Sequence, residues 1–436
     1  MNKVYIIGAG LAGCEAANYL ANKGVKVTLF EQKPIKRSPA HKIDSFAELV
    51  CSNSLKAMRI NSAGGLLKAE MRLFGSICLE AADNCSVPAG GALAVNRYDF
   101  SEFITKKIKN NDNIDIIYQE VTEIPTDAPV IIATGPLTDG VFAEKISELT
   151  GSYLSFFDAA APIVTADSID MNCAFTQSRY DRGDADDYIN CPMDKDEYEL
   201  FYNELVCAQG AKVHSFDKPN VYEGCMPIEI MAKRGADTMR FGPLKPVGLT
   251  NPKTGHRPWA NLQLRKENRE GTLYNLVGFQ TNLTFPEQKR VFSLIPALKN
   301  AEFIRYGVMH RNSFINSPKL LTENFKLKHC DNVWFAGQIT GVEGYMESAM
   351  SGILSAVSVY NYLNSIPQLE LPETTMCGAL SKYISTDDKK DFQPMGANFG
   401  ILPRGEVDIK NKQERYMKIA ERALNDLKNS LELQNT

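Results

Sequence analysis

The chain opens on an apolar run, Val4-Tyr5-Ile6-Ile7, that breaks into glycines at Gly8, Gly10 and Gly13. An unbroken apolar run ahead of a turn reads as a buried strand. The residues that follow set Leu11, Ala12, Ala16, Ala17 and Leu20 at helical spacing, and Gly24 ends the helix. A second apolar run from Val25 to Phe30 then finishes on the acid Glu31. Strand, glycine turn, helix, strand and acid together form the GxGxxG fingerprint of a dinucleotide-binding βαβ unit. Gly8 permits the tight turn out of the strand, Gly10 lets the backbone approach a pyrophosphate, and Gly13 lets the helix lie close on the sheet. The helix, beginning at Leu11 and Ala12, points its first amides at the phosphates. Glu31 stands where a ribose hydroxyl needs an acceptor.

Further along, a loop containing Pro34 and Pro39 precedes the apolar-polar stretch Phe46 to Leu55, and helical spacing recurs over Gly65 to Phe74 and Asp99 to Ile108. The run Pro129 to Gly135 reads as a buried strand whose Gly135 lets the backbone pass close to a bound nucleotide. A third glycine crossing follows the apolar run Val333-Trp334-Phe335, with Gly337, Gln338, Gly341, Gly344 and Tyr345 leading into a helix of small residues from Ser348 to Ala356. Nucleotide-contacting crossings at both ends of the chain imply one discontinuous cofactor domain, residues 1–180 and 318–436, around an inserted substrate- or RNA-binding domain, residues 181–317. The expected fold class is α/β, a Rossmann-like domain carrying a large α+β insertion. Apolar residues from Tyr416 to Leu431 make Asn411 to Leu433 an amphipathic helix that docks on the body.

A chain of 436 residues suits two or three domains, and 44% hydrophobic with 23% charged residues is a soluble globular composition. No apolar stretch reaches membrane-spanning length and the N-terminus has no signal-peptide layout, so a cytoplasmic protein with no membrane partner is expected. Ten cysteines contain no CxxC pair and have no histidine at ligand spacing. They read as free thiols, with no disulfide frame and no metal. The net charge of −4 argues against a generic nucleic-acid coat. Within the insertion, however, residues 181–204 carry nine acids against two bases, and residues 231–270 carry nine bases against three acids. Lys233, Arg234, Arg240, Lys245 and Arg257, interleaved with Phe241, His256 and Trp259, suit a face that tracks a phosphate backbone and stacks bases. A solvated surface balancing the neighbouring acids fits the same residues, and composition does not separate the two.

Two thiols stand apart by their surroundings. Cys51 follows an apolar run and precedes the polar triplet Ser52-Asn53-Ser54, typical of a cap or turn whose orphan amides favour a reactive thiolate. Cys225 sits between Gly224 and Met226-Pro227, in a turn and off any periodic core face. Free cysteine otherwise behaves as a small inert hydrophobe, the reading that suits Cys14 on the first helix. His310, between Arg305 and Arg311, has the chemistry to stack on a pterin or flavin, and Arg311 that to hold a carboxylate; a structural histidine is the alternative. No Ser-His-Asp set, Walker loop or metal helix is present in the sequence.

Seven segments together resemble the folate- and FAD-dependent RNA uracil-5-methyltransferases: GAGLAG, PAHxxDxFAELVCSNSL at 39–55, VPAGGALAV at 87–95, YEGCMPIE at 222–229, RGADTMRFGPLKPVGL at 234–249, RYGVMHRN at 305–312 and FAGQITGVEGY at 335–345. The resemblance spans essentially the whole chain. A neighbouring flavin-dependent family that modifies the tRNA wobble uridine shares the cofactor fold, is generally longer and lacks the Cys225 segment. The resemblance implies that 5,10-methylenetetrahydrofolate gives its methylene to reduced FAD and the flavin passes it to carbon 5 of a uridine, usually that of the tRNA T-loop, with NADPH or NADH supplying electrons. Cys225 then matches the nucleophile that adds at carbon 6. Cys51 matches the second cysteine, near the isoalloxazine, which removes the carbon 5 proton or protects a flavin adduct. His310 and Arg311 fall in the folate or nicotinamide pocket, Gly344 and Tyr345 beside the flavin, and the basic stretch becomes the RNA face. One departure is Gln338, where many flavoproteins carry an Asp that holds the ribityl chain. A ribosomal RNA target, an NAD(P)H oxidoreductase and a flavin-binding module without transferase activity are the competing readings. The sequence leaves open the exact uridine, NADPH against NADH, monomer against dimer, and a covalent adduct of Cys51 with the flavin.

Overall fold

The computed structural model describes residues 3–38, 40–151, 153–181, 184, 187–211, 226–387, 392–403 and 409–435. The opening unit is strand β1 (Lys3–Ile7), helix α1 (Leu11–Asn22) and strand β2 (Lys26–Glu31). Leu11, Ala12, Ala16, Ala17 and Leu20 are buried, as the spacing requires. β1 and β2 lie inside a five-stranded parallel sheet in the order Val333–Phe335, Val130–Ile132, β1, β2, Ile114–Tyr118. The central strands are largely apolar because helices cover both faces of such a sheet. Val333 pairs with Val130, so the edge is completed by a strand that follows the whole insertion.

Helix Tyr345–Asn364 crosses α1 at very close range. A Cβ at Gly352 would stand 2.2 Å from the Ala12 carbonyl oxygen, so only glycine permits the approach. The C-terminal helix Lys412–Asn435 buries Ile419, Ala420, Ala423 and Leu427, docking on the body as its periodicity predicts.

A second, six-stranded antiparallel sheet has the order Phe175–Thr176, Tyr188–Met193, Ala260–Lys266, Leu273–Leu276, Ile163–Thr165, Phe303–Arg305. It has its own core, in which Phe201 stacks on Phe279 and Phe279 meets Phe292 edge to face. Strands Ile163–Thr165 and Phe175–Thr176 precede the change in charge at residue 181. Charge reports the surface, whereas strand pairing decides which core a segment joins. An antiparallel ribbon of Leu154–Ala159 with Met309–Phe314 joins the two lobes. A small sheet of Ser54–Ala57, Ala92–Val95 and Ser86–Val87 lies against the inserted lobe. There the Gly90 amide donates to Asp187 Oδ2 at 2.7 Å and the Tyr188 hydroxyl to the Ala89 carbonyl at 2.9 Å. Among the described residues no helix is long and apolar enough to cross a membrane, and no group of three His, Cys, Asp or Glu side chains could hold a metal ion.

Candidate active site

A cavity of about 1290 Å³, its open mouth included, lies at the carboxyl ends of β1 and Val130–Ile132. Gly8 to Ala12 form its floor, and Glu31, Gly135, Gly337 and Gln338 stand in its walls. Gly8 has φ +104°, and a Cβ there would lie 2.6 Å from the Ala133 carbonyl oxygen. At Gly13 a Cβ would lie 1.8 Å from the Gly8 carbonyl oxygen, while at Gly10 it would meet no protein atom within 4 Å. Gly13 therefore serves the packing of helix on strand, and Gly10 keeps open the approach to the α1 N-terminus. The Glu31 carboxylate is buried and oriented in advance, accepting from the Ala9 amide at 2.9 Å and the Lys33 amide at 2.8 Å. Gln338 donates its side-chain amide to Glu343, so the position that often carries an Asp holds a side chain with an acid partner of its own. Gly344 stands beside this wall: its φ is +123°, and the space a Cβ would need is taken by Glu347 Oε2 and Lys56 Nζ.

Val50 and Tyr345 also line the cavity, and Cys51, which follows Val50, is half-buried. The polar triplet after Cys51 caps no helix; residues 46–53 form an irregular segment. Ala47 turns through φ +50° and its amide donates to the Ala9 carbonyl at 2.9 Å. The Tyr345 hydroxyl oxygen accepts from the Cys51 amide at 2.7 Å and the Ser52 amide at 3.1 Å. Burial raises the Tyr345 phenol well above its ordinary range, so it stays neutral. Cys14, by contrast, is fully buried, packs under Ala9, and is likewise pushed up by burial. The described cysteines form no disulfides.

Cys225 falls in residues 212–225, outside the described residues. Its two flanks are fixed at one place: the Ala211 amide donates to Asn282 O and the Ile228 amide to Gln280 O, each at 2.7 Å. Glu229, which sequence reasoning did not single out, is buried and accepts from the Thr281 hydroxyl and the Asn282 amide, each at 2.8 Å. Burial raises its carboxyl above the usual range. Thr281 lies against Gly307, where a Cβ would meet Thr281 Cγ2 at 2.6 Å. Two residues earlier, the Arg305 guanidinium donates to the Val50 carbonyl. The base of the Cys225 segment and the Cys51 segment thus approach each other through residues 305–307.

His310 and Arg311 occupy the ribbon, opposite Asp158 and Phe157. The ribbon is tied to the cavity lip where the Ser313 amide donates to the Pro136 carbonyl at 2.8 Å. Lys233, Arg234, Lys245 and Arg257 are exposed, and Phe241 is 83% exposed. Arg240 is half-buried, its guanidinium 3.8 Å from the Trp259 ring centroid and paired with Asp237 at 2.6 Å.

The chain matches the glucose inhibited division protein A family over residues 3–367. It is 57% identical over 426 residues to the methylenetetrahydrofolate–tRNA-(uracil-5-)-methyltransferase TrmFO of Acetivibrio thermocellus, covering 98% of each chain. The TrmFO of Fusobacterium nucleatum is 56% identical over 430 residues, covering 98% of this chain and 99% of that one. Among solved structures, GidA of Aquifex aeolicus in its form I crystal superposes with a TM-score of 0.70 at 15% identity, over 99% of this chain and 78% of that one. That likeness shows the shared fold, the parallel-sheet lobe together with its insertion. On these matches the chain belongs to the glucose inhibited division protein A family and, within it, to the TrmFO methylenetetrahydrofolate–tRNA-(uracil-5-)-methyltransferases.

Proposed function

We propose that this protein methylates carbon 5 of a tRNA uridine, that of the T-loop, using 5,10-methylenetetrahydrofolate as carbon donor, FAD as cofactor and NADPH or NADH as reductant, in the cytoplasm. The observation that carries the reading is identity above one half, along nearly the whole chain, to proteins of that name. In net terms the folate gives a methylene, the nicotinamide gives two electrons, carbon 5 loses its proton, and tetrahydrofolate and the oxidised nicotinamide leave.

The glycine-floored cavity has the features FAD needs: Gly8, Gly10, Leu11 and Ala12 for the pyrophosphate, Glu31 for the ribose, and Gly135, Gly337, Gln338 and Tyr345 along the remainder. Bound there, FAD supplies carriage of the one-carbon unit and of electrons. The protein's own task is to make carbon 5 of uracil nucleophilic, which requires addition at carbon 6 to create an enolate. Cys225 is assigned that addition and Cys51 the removal of the carbon 5 proton. His310 and Arg311 are assigned to the folate or nicotinamide pocket. Lys233, Arg234, Arg240, Lys245 and Arg257 are assigned to the RNA face, within an inserted lobe flanked by the two parts of the cofactor lobe. Exposure of four of these five cations, with Phe241 among them, supports that face.

The test is incubation of the holoenzyme with isotope-labelled methylenetetrahydrofolate, NADPH or NADH, and tRNA or ribosomal RNA fragments, followed by nucleoside mass spectrometry. Label in 5-methyluridine from tRNA is the expected result. Reductant consumption with unlabelled RNA, or label confined to ribosomal RNA, overturns the assignment.

A further inference from the structure

Three arginines from separate parts of the chain converge on the segment that carries Cys51. Arg97 opens helix Arg97–Lys109, Arg265 lies in strand Ala260–Lys266 of the inserted lobe, and Arg305 ends strand Phe303–Arg305. Arg97 donates to the Leu49 carbonyl at 2.7 Å and Arg305 to the Val50 carbonyl. Arg265 donates to Ser52 Oγ and Asn53 Oδ1, each at 2.9 Å. Leu49, Val50, Ser52 and Asn53 therefore each accept from a guanidinium, and Cys51 between them gives its amide to Tyr345. The Val50–Cys51 peptide is consequently pinned at both polar atoms, its oxygen by Arg305 and its N–H by Tyr345. The next peptide is pinned at its N–H by the same hydroxyl. Peptide planes are rigid, so fixing both of them fixes the direction in which the Cys51 side chain leaves the backbone.

This arrangement is electrostatically expensive. Arg97 and Arg265 are each 6% exposed, and among the described residues the one carboxylate bonded to the set is Glu267, which holds Arg97 by two bonds of 3.0 and 3.2 Å. Burial lowers the pKa of both Arg265 and Arg305. Apolar side chains fill a lobe interface without such a penalty, so stability alone is a weak account of the guanidiniums buried here.

We propose that Arg265, acting with Arg97 and Arg305, is a positioning residue for Cys51, and that the inserted lobe, through Arg265, sets how the thiol is presented at the cavity. The proposal rests on Cys51 being a reacting cysteine of the methyl transfer. Arg265→Lys keeps the charge and loses the two-pronged fork. The experiment compares holoenzymes at one pH by flavin content, kcat and KM for tRNA, and the rate of iodoacetamide alkylation at Cys51 read by peptide mass spectrometry, with exposed Cys207 as internal control. In Arg265→Lys, flavin content and KM are expected to hold. On the cost of misplacing a reacting group, kcat falls about tenfold or more and the Cys51 rate changes by at least about threefold, while Cys207 reacts as in the wild type. An unchanged Cys51 rate overturns the proposal whatever kcat does. Should Arg265→Lys fail to fold, Ser52→Ala removes one of its two bonds to the Cys51 segment and is read the same way, with a smaller change. A wild-type enzyme that methylates no RNA defeats the functional reading while leaving the alkylation comparison intact.

Discussion

Gly10→Ala and Gly13→Ala, three residues apart on one turn, are expected to damage different things. At Gly13 the new methyl would stand 1.8 Å from the Gly8 carbonyl oxygen and 3.0 Å from its carbon. Both are backbone atoms and cannot rotate away, so α1 or the β1 turn must move by more than an ångström. Overpacking of that kind costs about 1–3 kcal/mol or more, which at roughly 2–4 °C per kcal/mol for large domains lowers the melting temperature of the apoprotein by several degrees. At Gly10 the backbone is extended, with φ −74°, and the methyl meets no protein atom. The apoprotein should lose under about 1 kcal/mol, the scale of an N-cap exchange. The methyl instead occupies the approach to the pyrophosphate. Loss of one charge-assisted amide bond, worth about 1.5–3 kcal/mol, weakens FAD roughly 10- to 100-fold. Thermal melts of the apoproteins and fluorescence titration with FAD separate the two effects. Wild-type FAD affinity in Gly10→Ala, or an unshifted apoprotein melt in Gly13→Ala, would refute the division of labour.

Arg97→Met leaves Glu267 buried without its cation and should cost about 3–5 kcal/mol, the penalty of breaking a buried pair; adding Glu267→Met should recover most of it in denaturant melts. Glu15 and Glu70 each accept two backbone amides at the starts of helices Ile77–Asn84 and Met376–Ser385, yet burial outweighs these bonds and raises both carboxyls to about 7. An unfolded glutamate titrates near 4.3, so between that value and about 7 the folded state holds protons the unfolded state has released. Stability should fall as pH rises through this window, on the order of 3–4 kcal/mol per carboxyl. Urea midpoints at pH 5 and pH 7.5 check this, and the slope should flatten when both are changed to Gln. Glu229→Gln loses one of two acceptor bonds at the base of the Cys225 segment. It should slow methyl transfer about tenfold, the worth of one such bond to a charged group, with flavin content unchanged; equal rates would remove Glu229 from the account.

The cofactor lobe was legible because its signals are local. β1, the glycines, α1 and Glu31 fall within one short stretch, and the later crossing at Gly337 repeats the same grammar. What was not legible depends on partners distant in sequence. Arg265 counts toward a basic surface by composition, yet it is buried against Ser52 and Asn53 of the other lobe. Phe175–Thr176 is too short to show an alternating pattern, and Ile163–Thr165 reveals its lobe only by pairing with Leu273–Leu276. The segment after Cys51 carries cap-forming residues, but their acceptors serve arginines and not a helix start. Gly344 sits in the same crossing as Gly337, and only the packing of Glu347 and Lys56 shows why glycine is needed there.

The central claim is that Cys225 adds to a uridine whose carbon 5 receives the one-carbon unit. Its most direct measurement is mass spectrometry of the holoenzyme mixed with a T-loop RNA carrying 5-fluorouridine, with folate donor and reductant present. Fluorine cannot leave as a cation, so the covalent intermediate should accumulate as an RNA adduct on the peptide containing Cys225, and should vanish in Cys225→Ala at full flavin content. An adduct that persists in Cys225→Ala, or that maps to another residue, would contradict the account.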